Sequence, residues 1–580
     1  FMQLSLDLYI SILEHVPVQR YGDSVETLVT FSQTSTILRE ASQVTSLWEP
    51  FYRARYRFSE EIHEFRRKVD LDNNWRLMYA ERRRKDKIAL GLLDRIVDTR
   101  QGRYRHAATL TAMSFDVWDA MEIESSLPVP SLFDVNPQVG TRPCISPTRR
   151  FWASSILDTI AKRSAIMQWG NLVSEDGENV PSFVQAHSSL SCFFGKPLVE
   201  VESHLTSLTA ECRAYLEEKR CLLDPDAPEY DLALVCTTIC QFMLQQGFGP
   251  VPSLNFHQIS NHFPHLYLTS HRRSIAISLV HAFVALARSV GVTASPINFP
   301  GRVLVHISSP PGADDFLVDV YGAETKAILS LRHDLPPMLV RMGVSPDALL
   351  FYVSPCGAAP MLLRAARNIL SSITNDTSHA TTQAAIFASI CIHLLLTEEV
   401  QLITHMVRHV EVDPLDCATF LSDLQPFLRR AANREFLQET CRATLEIEEQ
   451  EATTVHSRNA TTAVAHYVGM VFQHRRYSYN ACIIGWDPTC CKSEEWQMSM
   501  NVRSLTRGGN QPFYHVISLD GNHRYVAEDN ISPIPFTEEL AVQFLREIPV
   551  LPRYFSDICE IGWRLSPELV YAYPDDEFAS

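Results

Sequence analysis

The run HYVGMVFQHRRYSYNACIIGWDPTCCKSEEWQ, from His466 to Gln497, and the run RGGNQPFYHVISLDGNHRYVAEDNISPI, from Arg507 to Ile534, decide how the later part of this chain folds. Val471, Phe472, Ala481, Ile483, Ile484 and Trp486 stand in short runs rich in β-branched and aromatic residues, a composition that fits a half-buried pleated surface. Asp487-Pro488 ends one run, because proline cannot donate to a strand ladder. Asp520-Gly521, between FYHVISL and HRYVAED, is a strong hairpin signal, since glycine supplies the positive φ of a tight turn at no steric cost. Short strands joined in this way predict a small β-barrel that closes its own edges and presents a loop-rich rim.

The same stretch resembles the hemimethylated-DNA-binding-like domain first known from a bacterial heat-shock-associated protein. The resemblance is carried by Val468-Gly469, His474-Arg475-Arg476-Tyr477, Gly485-Trp486-Asp487-Pro488, Asn510-Gln511-Pro512-Phe513-Tyr514 and Arg524-Tyr525-Val526-Ala527-Glu528. It implies a recognition module, with His474, Arg475, Arg476, Tyr477, Trp486, Asn510, Phe513 and Tyr514 as candidate client-binding residues. Between His466 and Asn530 six Arg/Lys face six Asp/Glu. Phosphate binding scales with the positive charge brought to it, so a protein is the expected ligand and DNA is not.

At 580 residues the chain is too long for one core, and its 46% apolar content is that of a globular protein. A net charge of -16 argues against a general nucleic-acid binder, whose footprint is basic. The 14 cysteines are scattered, which predicts a reducing compartment, cytoplasmic, nuclear or both. Cys236 and Cys240 lie one helical turn apart in an apolar run and read as core. Adjacent Cys490 and Cys491 are poor joint ligands for one tetrahedral ion. No metal or cofactor is expected. No transmembrane run and no secretory leader is apparent, and whether native residues precede Phe1 stays open.

Leu4, Leu8, Ile12, Leu13 and Val16 recur at helical spacing until Pro17 stops the run. A second run holds Leu28, Phe31, Ile37, Leu38 and Ala41, and Leu47, Trp48 and Phe51 follow. Three helices this short make a weak core alone, so a partner is expected to complete it. The order Leu6-Asp7-Leu8, Ile12-Leu13, Val16-Pro17, Leu38 and Leu47-Trp48 resembles an F-box. That resemblance implies docking of a Skp-type adaptor, and through it a cullin, by Leu4, Leu8, Ile12, Leu13, Val16, Pro17, Leu38 and Trp48. The family usually has proline after the first leucine, where this chain has Ser5. An ordinary three-helix start of a larger domain is the alternative.

Residues 60–125 read as helical, and the run Glu81 to Lys87 reads as a solvated helix face. Residues 126–150, with five prolines, read as a connector. Farther on, a helix from Ile277 to Val290 stopped by Gly291 precedes strands at Thr293–Ile297, Val303–Ile307 and Phe316–Val320. A nucleophile at a buried helix start, a base on one strand and an orienting carboxylate on the next would make a papain-like centre. The region resembles a transglutaminase-like domain with its chemistry removed, through Arg272-Arg273, Ile277-Ser278-Leu279, Asn298-Phe299-Pro300-Gly301, Asp319 and Leu363-Arg364-Ala365-Ala366-Arg367-Asn368. Ser278 stands where active members place cysteine, and Arg302 where they place histidine. A guanidinium stays charged and cannot deprotonate a serine at neutral pH. The degenerate positions Ser278, Arg302 and Asp319 are therefore expected to carry no catalysis.

The expected fold class is multidomain α+β. The segments are an F-box (1–58), a helical linker region (59–225), the degenerate transglutaminase-like domain (226–375), a helical spacer (376–452), the barrel (463–540) and a tail packed on it (541–580). The implied function is that of a non-catalytic substrate-recognition subunit of a Skp-cullin-F-box ubiquitin ligase. A nucleic-acid or chromatin binder acting through the barrel, and a cysteine-less transglutaminase-like hydrolase, are the alternatives.

Overall fold

The structure is a computed structural model that describes residues 4–20, 24–130, 145–174, 180–227, 229–345, 352–373, 379–458, 464–559 and 562–576. Most of the proline-rich connector lies outside the described residues. Two compact units divide the chain: Phe1–Ile160 with Glu446–Ser580, and Ala161–Leu445.

The first unit opens with α1 (Leu6–Glu14), α2 (Ser24–Thr34), α3 (Thr36–Ser42) and α4 (Glu49–Arg55). Ser35 starts α3 by accepting the Leu38 amide at 3.2 Å, which satisfies one of the donors that a helix N-terminus leaves open. Leu13, Leu28, Ala41, Leu47, Trp48, Phe51, Tyr52 and Tyr56 form one core with Met78 and Tyr79. The last two belong to α6 (Trp75–Asp98), so the small helical module completes its core with a later helix.

Between them lie α5 (Glu61–Asp70) and a buried charge network. Here the solvated-face expectation for the charged run holds for Arg83, Arg84 and Lys87, which are exposed, and fails for Arg82 and Asp86. Arg82 and Asp86 are each only 1% exposed. Arg55 pairs with Asp86 at 2.8 Å, Lys85 with Asp116 at 2.7 Å, and Arg67 bridges Glu81 and Asp116 at 2.8 Å each. Burial alone would raise the Asp116 carboxyl, but Lys85, Arg82 and Arg67 outweigh it and hold the group at about 2. Asp119, fully buried, accepts the amides of Arg57 and Phe58 at 3.1 Å. Composition signalled solvent, whereas partners far along the chain made these charges affordable in a core.

In the second unit, α7 (Ala276–Ser289) is buried along nearly its whole length. A four-stranded antiparallel sheet follows, in the order β1 (Ala294–Ile297), β2 (Leu304–Ile307), β3 (Phe316–Val318) and β4 (Ile328–Ser330). Ile297, Phe299, Leu304, Leu317 and Leu329 form a core on it with Leu335 and Leu339. The helices Leu198–Glu218, Leu232–Gln245, Ala358–Ser372 and His379–Leu396 belong to the same unit.

The later part of the first unit corrects the barrel expectation. The strands β5 (Val471–His474), β6 (Asn480–Asp487), β7 (Phe513–Ser518), β8 (His523–Ala527) and β9 (Ile531–Pro533) form one antiparallel sheet in the order β8-β7-β6-β5-β9. The sheet is open, with β8 and β9 at its two edges. β9 is three residues long and ends in Pro533, which has no N–H to offer a closing partner. The apolar face is instead covered by Phe544, Leu551, Phe555 and Trp563, which pack against Val468, Phe472, Ile483, Trp486 and Val516. The covering residues come from the helix Glu538–Glu547 and from the hairpin of β10 (Phe555–Cys559) and β11 (Gly562–Leu565) with its approach, and α8 (Pro567–Ala572) follows. A sheet covered by these elements needs no closure to bury its side chains.

Candidate functional site

Three places hold the residues singled out by the sequence. On α1, Leu8 and Ile12 stand four apart and so share a helix face. Leu8 is 52% exposed and Ile12 48%, and Leu4, just before the helix, is 42% exposed. Leu13 points the other way, at 1%. Trp48 is also core, its indole N–H donating to the Ser42 carbonyl at 2.8 Å. Val16 and Leu38 are half-buried, and Pro17 is exposed. The eight positions thus include an outward apolar row, Leu4, Leu8 and Ile12, and two core residues, Leu13 and Trp48.

The second place is the transglutaminase-like centre. Ser278 lies in the first turn of α7, fully buried. Its hydroxyl donates to the Asn261 carbonyl at 2.6 Å, and the Ser274 hydroxyl donates to the same carbonyl at 2.8 Å. Among the described residues no histidine is hydrogen-bonded to Ser278. Arg302 Nη1 donates to Asp319 Oδ2 at 2.7 Å, and the Gly322 amide donates to Asp319 Oδ1 at 2.9 Å. Gly322 is required there, because a Cβ would lie 2.6 Å from Asp319 Oδ2. The base position and the orienting carboxylate are therefore consumed by each other.

His281, one turn beyond Ser278, serves the core. Its Nε2 lies 3.1 Å from the Val184 carbonyl and 3.0 Å from Ser188 Oγ, and its Nδ1 lies 2.9 Å from Tyr267 Oη. A carbonyl only accepts, so Nε2 carries the proton and Nδ1 accepts from Tyr267. Burial holds this imidazole down at about 4. The His187 ring packs nearby at a tilt, 5.0 Å from His281 between ring centroids, and burial holds it well below its ordinary value. His306 reaches Asp315 at 3.3 Å. Cys236 and Cys240 are buried, and among the described residues no group of His, Cys, Asp and Glu is placed to hold a metal.

Ser278→Ala is expected to cost about 1 kcal/mol of stability, since the Asn261 carbonyl keeps its bond from Ser274. Amidase, transglutaminase and protease assays on broad peptide libraries should detect no turnover that depends on Ser278. A reproducible rate abolished by the substitution would restore the enzyme alternative.

The third place is the C-terminal sheet. Arg475, Arg476, Tyr477 and Asn510 are exposed, with Tyr477 at 63%. His474 is buried and its Nδ1 accepts the amides of Arg476 at 3.1 Å and Tyr477 at 3.2 Å, which shapes the loop that carries them. Phe513, Tyr514 and Trp486 are core, the Tyr514 hydroxyl donating to Glu528 at 2.6 Å. Sequence reasoning missed Arg458, Tyr573 and Asp576, which meet Trp486; no local pattern marks them, since Asp576 lies 90 positions from its partner. Among the described residues no helix is long and apolar enough to cross a membrane.

Comparison with known proteins agrees with the sequence resemblances. Residues 464–560 match the family described as hemimethylated DNA-binding protein YccV like, and residues 199–357 match the transglutaminase-like superfamily. The mouse protein F-box only protein 21 is 28% identical over 346 residues, covering 56% of this chain and 52% of the mouse protein. The human protein of the same name is 27% identical over 346 residues, with the same shares. The chain spans about half the length of the curated relatives it matches. No solved structure matches it. The chain thus combines a transglutaminase-like core with a YccV-like domain and is homologous to F-box proteins of that name.

Proposed function

We propose that this chain is the substrate-recognition subunit of a Skp-cullin-F-box ubiquitin ligase, with no catalysis of its own. The observation that carries the reading is the outward row Leu4, Leu8 and Ile12 on a three-helix module, in a chain similar to proteins named as F-box proteins. Three aligned aliphatic side chains left half in water are the face a partner helix would cover. In this reading residues 1–58 dock the Skp-type adaptor, which brings the cullin. Residues 226–375 and 463–540 receive clients, with Arg475, Arg476, Tyr477 and Asn510 as the accessible contacts. The hydrogen bond from Ser278 to a carbonyl and the Arg302–Asp319 pair support the absence of an activated nucleophile. The thiol that carries ubiquitin would belong to another protein. The reading places the protein in the cytoplasm, the nucleus or both. Co-purification of the full chain with a Skp-type adaptor, and recovery of a cullin with it, tests this directly; no measurable adaptor binding ends it.

The description of the family matched at 464–560 favours duplex DNA as a second ligand. The balanced charge from His466 to Asn530 opposes it. Fluorescence anisotropy at physiological salt is expected to show only weak, salt-sensitive binding, equal for plain, methylated and hemimethylated duplexes. Submicromolar binding with hemimethyl preference would replace protein recognition with DNA recognition for this domain.

A further inference from the structure

The segment after α8 delivers a carboxylate to a receptor built by other parts of the first unit. Asp576 is 1% exposed. Its Oδ2 accepts the Val468 amide at 2.8 Å and the Trp486 indole N–H at 3.0 Å, and its Oδ1 accepts Arg458 Nε at 2.5 Å. The guanidinium is fixed in turn by the Val464 and His466 carbonyls, at 2.8 and 2.7 Å. Three positions earlier, the Tyr573 ring stacks on His456 with centroids 4.9 Å apart, and its hydroxyl accepts the Trp486 amide at 3.2 Å. Gly485 makes room for it, since a Cβ there would lie 2.5 Å from Tyr573 Oη.

Three N–H donors, one of them charged, converge on one point in a buried setting. Each would carry a desolvation cost if left unpaired, and a carboxylate is the group that satisfies all three. Val468 and Trp486 lie inside the YccV-like region, Arg458 lies just before it, and Tyr573 and Asp576 lie after it. The domain therefore contributes donors and a later segment contributes the ligand. The contact has the form of a peptide bound in cis: an aromatic ring in a slot, then two residues, then an acid in a cradle.

We infer that the Val468–Trp486–Arg458 cradle is a recognition site for acidic peptides with an aromatic residue three positions before the acid, held shut by Tyr573-Pro574-Asp575-Asp576. Client docking displaces that segment. The inference rests on the client-recognition reading but not on adaptor docking.

The test uses the full chain carrying Tyr573→Phe and Asp576→Asn, conservative changes that weaken the plug. A fluorescent peptide of sequence SPELVYAYPDD is titrated at physiological salt and followed by anisotropy. The double variant is expected to bind at least tenfold tighter than the wild type, whose own segment competes. Adding Trp486→Phe, or replacing the final Asp of the peptide with Asn, should remove that gain. A double variant with the circular dichroism of the wild type that binds no better overturns the inference. So does a double variant that loses its fold, because the segment would then be core and not a displaceable ligand. Adaptor binding is measured on the same samples: peptide binding without adaptor binding would leave the cradle standing and remove the ligase.

Discussion

Replacing Leu8 and Ile12 together by Asp is expected to abolish binding of a Skp-type adaptor while the chain keeps its fold. Both side chains are about half exposed, so neither change puts a carboxylate into the interior of the free protein. Fully burying a leucine is worth roughly 1.5–3 kcal/mol, and about half of that remains to be gained at each position on docking. An unpaired carboxylate in the contact adds a desolvation cost of a few kcal/mol. The combined loss is at least about 3 kcal/mol, or two or more orders of magnitude in affinity. Leu13→Asp is the contrasting control, because Leu13 is 1% exposed and its carboxylate would sit in the core. Calorimetry with the adaptor and circular dichroism read the two effects separately. The measurement uses the full chain, since Met78 and Tyr79 complete the core of the first helices. Normal adaptor affinity in the folded double variant would show that this face is not the docking face.

The second unit is expected to lose several kcal/mol of stability as the pH falls from 7 to 5. Burial holds His281 at about 4 and His262 at about 3 in the folded chain, against an ordinary value near 6.5. The unfolded chain therefore binds protons that the folded chain refuses. The stability these groups provide is complete above pH 6.5 and falls as the pH drops toward 4 and then 3. At pH 5 each neutral buried imidazole forfeits about 2 kcal/mol, so the pair forfeits about 4. His281 faces Tyr267, Ser188 and His187, and His262 faces Ser372, and none of these is a carboxylate that could stabilise a charged ring. Hydrogen exchange of α7, corrected for the intrinsic effect of pH, measures the loss. His281→Phe should cut it by about half; an unchanged pH dependence would mean that burial of this imidazole does not govern it.

Several features were legible in the residues because their causes are local. The Asp520-Gly521 hairpin appears as expected, with Gly521 at positive φ and β7 and β8 paired on either side. The α7 helix, its stop at Gly291 and the strands after it follow from periodicity and a glycine, both read within a few residues. The pairing of Arg302 with Asp319 was within reach because chemistry excludes an arginine as a base. The outward face of α1 needed the structure, since Leu8 and Leu13 are equally apolar and only packing decides which one meets solvent.

What the sequence by itself determined is local: which segments are helices and strands, where turns fall, and that serine and arginine stand at positions 278 and 302. Tertiary structure alone decided how those pieces are covered and paired. The strand-forming runs from Val471 to Ile531 read the same for a closed barrel and for an open sheet, because strand composition records that side chains are buried and not by what. Phe555 and Trp563 provide the cover, and the sheet stays open. Arg82 and Asp86 read as solvent charges until Asp116, Asp119 and Arg55 arrive from distant positions to pair them in the core. Trp486 reads as a candidate client contact until Asp576 takes its indole N–H. In each case the deciding partner lies far along the chain, where no short-range pattern reaches, and the energy of a buried charge or polar group depends on that partner.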